Sequence, residues 1–65
     1  MKLRIEITCD NAAFSDEPGW EASWILSALC DRIGRLDRVE FSEAGGVLMD
    51  NNGNRVGDWD VYDCD

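Results

Sequence analysis

The chain has 65 residues and a net charge of −8, from fourteen Asp and Glu against six Lys and Arg, with no His. A chain this short makes one domain and buries only about 60% of its unfolded surface, which leaves a thin stability margin. Its acidity repels nucleic acid and anionic membrane and attracts basic protein surfaces, while also keeping a small protein soluble.

Residues 2–8 alternate. Leu3, Ile5, Ile7 and then Cys9 face one way, and Lys2, Arg4, Glu6 and Thr8 the other, the pattern of a strand with one solvated face. Asp10-Asn11 ends it, because both side chains compete for backbone hydrogen bonds. Ala12-Ala13-Phe14 reads as an irregular link, with Phe14 tucked under the start of the next element. Residues 17–36 are the one long periodic stretch, a helix at about 100° per residue. Its apolar stripe runs through Ala22, Ile25, Leu26, Leu29, Cys30, Ile33 and Leu36. Trp20 and Trp24 stack at i and i+4 on the opposite side, among Ser23, Ser27, Asp31 and Arg35. Ser15 or Asp16 is the expected N-cap, with Pro18 in the first turn and Gly34 the expected stop. Asp16, Glu17 and Glu21 sit at the positive end of the helix dipole, and Arg32, Arg35 and Arg38 at the negative end.

Val39, Glu40, Phe41 and Ser42 predict a short strand, and Ala44-Gly45-Gly46 a turn or bend leading into Val47-Leu48-Met49. Asn52-Gly53 predicts a type I′ hairpin turn, which needs positive φ at both central residues. Residues 55–62 return as a strand in which Gly57 marks a bulge or a close backbone approach. Asp63-Cys64-Asp65 reads as a loose tail. The expected architecture is α+β: a small two-layer domain spanning 1–65, with one helix packed on a three- to four-stranded antiparallel sheet in the order β-α-β-β-β.

Cys9, Cys30 and Cys64 are odd in number and show no CxxC spacing, which points to a reducing cytoplasm rather than a disulfide framework. Cys9 and Cys30 are expected at core-facing positions as small hydrophobes. The N-terminus alternates polar and apolar residues unlike a signal peptide, and no apolar run approaches the length needed to span a membrane. The cytosol is the expected location.

An enzyme is disfavoured. Without His, the commonest general base and metal ligand are both missing, and Ser15, Ser23, Ser27 and Ser42 have no triad-like partner. No catalytic residue, metal ligand or cofactor is predicted. The oxygen-rich run Asp50-Asn51-Asn52-Gly53-Asn54 fails the EF-hand pattern, since the sixth and twelfth positions hold Arg55 and Val61 where Gly and Glu are required. The carboxylates are a candidate binding surface instead. Asp58, Asp60 and Tyr62 alternate on one side of the last strand, with Trp59 and Val61 on the other, and Asp63 and Asp65 extend the acidic run. A row of Asp is ordinarily a solvated edge that resists sheet pairing. With Glu6, Glu40 and Glu43 on the same sheet it becomes a line of charge resembling a phosphate backbone, which carries about one charge per 1.7 Å of duplex axis. Trp20 and Trp24 are the second candidate, as aromatic anchors for a partner. Folding back over Phe14 or the sheet edge is the structural alternative, more for Trp20 than for Trp24.

Asp10-Asn11-Ala12-Ala13-Phe14, the helix with Ile25-Leu26, Leu29 and Asp31-Arg32-Ile33, then Leu48, Asp50, Asn52-Gly53-Asn54, Val56-Gly57 and Trp59 together resemble a group of short proteins encoded in phages and prophages. Residues 39–44 and 61–65 depart from that pattern. Size, acidity and a phage-like origin are similar in character to anti-CRISPR proteins, some of which mimic DNA. The resemblance implies a non-enzymatic inhibitor in the host bacterial cytosol, most simply a monomer. Its carboxylates would occupy a basic nucleic-acid-binding surface on a CRISPR effector and block target DNA, without contacting nucleic acid or membrane itself. The alternative is an accessory or structural phage protein that makes an ordinary protein contact, or a homodimer, through the Trp-bearing helix face.

Overall fold

The alternation near the N-terminus becomes strand β1 (Lys2–Ile7) in a computed structural model that describes residues 1–63. The chain then makes a single 3₁₀ turn at Ala12–Phe14 and enters helix α1 (Pro18–Ile33). A short helix α2 (Arg38–Ser42), strand β2 (Gly45–Met49) and strand β3 (Arg55–Tyr62) follow. The sheet is three-stranded and antiparallel in the order β1-β3-β2, so the longest strand is central and both β1 and β2 are edges. The α+β architecture is as the sequence predicts. The Asp row, however, lies on the central strand and not on an edge.

Local chemistry accounts for the boundaries that differ from expectation. Neither Ser15 nor Asp16 caps α1. Asn11 Oδ1 accepts from the Ala13 N–H at 3.0 Å, which starts the 3₁₀ turn, and Ser15 closes it with its hydroxyl donating to the Ala12 carbonyl at 2.8 Å. Glu17 is then the N-cap, without a side-chain bond, and Pro18 begins α1, where its missing N–H costs nothing. At the other end α1 stops at Ile33, short of Leu36. The Arg35 and Leu36 N–H groups turn back to the Arg32 and Ile33 carbonyls at 3.2 and 3.1 Å, tightening the last turn.

The expected strand at Val39 to Ser42 is helix α2. Asp37 Oδ1 accepts from the Glu40 N–H at 2.8 Å, and Glu40 Oε1 accepts from the Asp37 N–H at 3.0 Å. This reciprocal capping box outweighs the strand propensity of Val39 and Phe41. Gly45 and Gly46, expected in a turn, are the first residues of β2.

The β2–β3 connection is a type I turn closed by a left-handed glycine, not type I′. The Gly53 N–H donates to the Asp50 carbonyl at 3.1 Å and Gly53 has φ +83°, whereas Asn52 stays at negative φ. The bulge expected at Gly57 is present, because pairing passes from Leu48↔Gly57 to Met49↔Arg55 and leaves Val56 as the extra residue, turned into the core. A Cβ on Gly57 would overlap the Glu6 carbonyl oxygen of β1.

The core combines Phe14, Ile25 and Leu29 with Leu48, Val56, Trp59 and Val61. Leu36 and Phe41 pack against it from outside α1. Leu26 and Cys30 of the predicted stripe, and Cys9, are exposed instead. Cys9 lies beyond the end of β1. Leu26 and Cys30 flank Ile5 on the β1 side, where the helix leaves the sheet partly uncovered and Leu3 and Ile5 are also exposed.

Candidate functional site

Both indoles of α1 face solvent, Trp20 at 56% and Trp24 at 43% exposure, so neither folds back into the core. Trp24 forms one wall of a groove between α1 and β2, of about 440 Å³, with Arg32, Val47, Leu48, Met49 and the Asn51–Gly53 turn around it. Leu48 is the β2 side chain turned toward α1; Val47 and Met49 meet the groove at the rim of this edge strand, and Val47, in register with Asp58, is exposed on the open face of the sheet. Arg32 has no ion-pair partner among the described residues. Trp20, one turn before Trp24, is exposed on the same side of α1.

Two buried carboxylates that sequence reasoning missed anchor the turn that lines this groove. Glu21, expected at the exposed start of the helix, is 1% exposed. Its Oε2 accepts from the Asn51 N–H at 2.9 Å and its Oε1 from the Asn51 side-chain amide at 2.7 Å. Asp50, 2% exposed, accepts from the backbone N–H groups of Asn52 and Asn54, both at 2.9 Å, and from Asn11 Nδ2 at 2.7 Å. The Asn54 backbone N–H, opposed in part by burial and helped by Asn11 and Asn52, holds the Asp50 carboxyl below its usual pKa. Buried carboxylates are retained only where donors replace water, and here those donors are loop amides. Together they fasten the 50–54 turn to α1 through Glu21 and to the 3₁₀ turn through Asn11, which fixes the wall that faces Trp24. The sequence carried one trace of this, an Asp beginning a run of Asn, whose affinity for turn N–H groups is local chemistry.

The other candidate, the acidic row, is only partly assembled. Asp58, Asp60 and Tyr62 do share the open face of the sheet, with Trp59 and Val61 turned to the helix. Arg4 lies across from Asp60 on β1, with Nε donating to Asp60 Oδ1 at 2.8 Å and Nη2 to Asp58 Oδ1 at 2.8 Å. The two carboxylates, Asp58 first, raise the Arg4 pKa above the usual guanidinium value. Arg55 Nη2 approaches Asp58 at 3.7 Å and Arg4 Nη1 approaches Glu6 at 4.0 Å. On this face Lys2, Arg4 and Arg55 therefore balance Glu6, Asp58 and Asp60. Asp63 meets the N-terminal ammonium at 3.7 Å. Glu40 and Glu43, expected on the sheet, belong to α2 and its C-cap, and the Glu40 carboxylate is used in the capping box. Asp65 lies outside the described residues, as does Cys64.

Among the described residues no group of three His, Cys, Asp or Glu side chains is placed to hold a metal ion, and no helix is long and apolar enough to cross a membrane. No family model, curated protein or solved structure matches the chain.

Proposed function

We propose that the protein is a non-enzymatic binding module whose contact surface is the Trp20–Trp24 face of α1 and the adjoining groove. Its partner would be a protein with a basic, partly apolar surface. The observation that supports this reading is the exposure of two tryptophans beside a groove whose walls are fixed by buried hydrogen bonds. Trp is over-represented among residues that dominate binding energy, and a preorganised site loses less entropy on association. The sign of the partner follows from the net charge of −8. Asp10, Asp16, Glu17 and Glu43 have no cationic partner among the described residues, so the surplus lies on loops and helices rather than on the sheet face. Duplex mimicry asks for unopposed carboxylates in a row, and the row on β3 is answered by Arg4.

The experiment compares baits. Wild-type protein, Trp24→Ala and the pair Asp58→Asn/Asp60→Asn are immobilised and challenged with host extract over a salt series. A protein retained by the wild type and by the Asp pair, lost with Trp24→Ala and released as salt rises, is the expected result. Equal retention by Trp24→Ala overturns the reading. The narrower partner, a basic nucleic-acid channel on a CRISPR effector, is tested by competition with its target DNA. Loss of competition in the Asp pair, with Trp24→Ala still active, would restore charge mimicry in place of the helix face.

A further inference from the structure

We infer that β1 is a self-association edge, and that two copies of the chain pair antiparallel through it to give a continuous six-stranded sheet. The argument begins with backbone groups. The Thr8 N–H donates to the Val56 carbonyl at 2.8 Å. Alternation in an antiparallel ladder then turns the N–H and C=O groups of Glu6, Arg4 and Lys2 toward β3 and those of Leu3, Ile5 and Ile7 outward. This edge is regular over six residues. The other edge, β2, has five residues, begins with Gly45-Gly46 and ends in the bulge opposite Val56, features that blunt strand addition.

The side chains on this edge are self-complementary. In the register that sets Ile5 opposite the Ile5 of the second copy, Leu3 faces the second copy's Ile7 on the helix side. Arg4 then faces the second copy's Glu6 on the open side, twice by symmetry. The apolar pairs adjoin an uncovered crevice of about 400 Å³ between β1 and α1, lined by Ile5, Leu26, Leu29, Cys30, Ile33 and Gly34. Leu3, Ile5 and Leu26 are exposed hydrophobics that a lone chain leaves in water. Charge selects the same partner. The molecule is strongly acidic, yet the open face beside β1 is balanced, so two copies meet here without the repulsion they would feel elsewhere. Because β1 and β2 are opposite edges of the sheet, pairing through β1 leaves both Trp24 grooves at the outer ends. The dimer is thus a bivalent form of the binding module, although its formation does not depend on that reading.

Mass measurement in solution by light scattering and sedimentation tests this on the full chain. The wild type is expected at twice the chain mass and Ile5→Lys at the chain mass with an unchanged circular-dichroism spectrum. Glu6→Lys, at an exposed side chain whose only ion-pair contact among the described residues is its own Arg4 at 4.0 Å, opposes Arg4 of the second copy, is expected to weaken the dimer about tenfold and serves if Ile5→Lys fails to fold. With Cys9, Cys30 and Cys64 replaced by Ser, Ile5→Cys is expected to give a disulfide between copies when oxidised by dissolved oxygen, which takes the two electrons and two protons released, since facing Cα atoms in such a pair lie about 5.5 Å apart. A wild type monomeric up to on the order of 1 mM overturns the proposal. So does a dimer that survives both Ile5→Lys and Glu6→Lys, or one abolished by Trp24→Ala with β1 intact.

Discussion

Asp50 carries more of the site than any other side chain, and it does so through four hydrogen bonds within a few residues and across the loop to Asn11. Its folded pKa is depressed, chiefly by the Asn54 N–H. The stabilisation is therefore complete above the unfolded aspartate value of about 3.9 and is lost as pH falls through the lower folded value. Thermal melts of wild type and Asp50→Asn over a pH series should show the variant less stable near pH 7, with the gap closing below about pH 4. A gap independent of pH would mean that Asp50 acts through packing alone. Glu21→Gln replaces one acceptor with a donor that faces the Asn51 amide, and should cost roughly 1–3 kcal/mol in chemical denaturation. Gly57→Ala meets backbone, which cannot rotate away, so its cost should fall at the upper end of the roughly 1–3 kcal/mol typical of overpacking.

At the scale of elements, α1 separates two tasks. Ile25 and Leu29 hold the sheet, while Trp20 and Trp24 face outward. Trp24 is 43% exposed, so Trp24→Ala uncovers apolar contact that the helix propensity of Ala offsets only in part, and it should cost no more than roughly 1–3 kcal/mol while removing partner binding. A large loss of stability would make Trp24 a structural residue. Helix α2 carries two local signals that conflict. Asp37 and Glu40 stand at capping-box spacing, yet Val39 and Phe41 alternate like a strand. The box wins because it satisfies two otherwise unpaired N–H groups. Asp37→Ala should therefore cost about 1 kcal/mol and loosen α2 in hydrogen exchange.

For the molecule as a whole, charge is unevenly spread. The open sheet face is neutral because Arg4, Lys2 and Arg55 sit among Glu6, Asp58 and Asp60, so the excess that makes the chain −8 is carried elsewhere, among the described residues by loops and helices. The bare β1 edge and the Trp24 groove then lie at opposite sides of one sheet.

Periodicity by itself determined β1, α1, β3 and the α+β class, because each depends on residues within a few turns or pleats of one another; it put both Trp on the side of α1 opposite the stripe, but that neither folds back was decided only by the tertiary structure. The Gly57 bulge was legible for the same reason, as one glycine inside a segment whose Val56, Trp59, Val61 and Tyr62 favour a strand. Only the tertiary structure decided that β3 is central, that Arg4 answers Asp58 and Asp60, and that Glu21 is buried. Strand order rests on contacts between residues more than fifty positions apart, such as Arg4 with Asp58 and Asp60. A helical Glu at the first turn looks solvated until a loop thirty residues later supplies donors for both of its oxygens. Burial of a charge is a property of its partners, and those partners are adjacent only once the chain has folded.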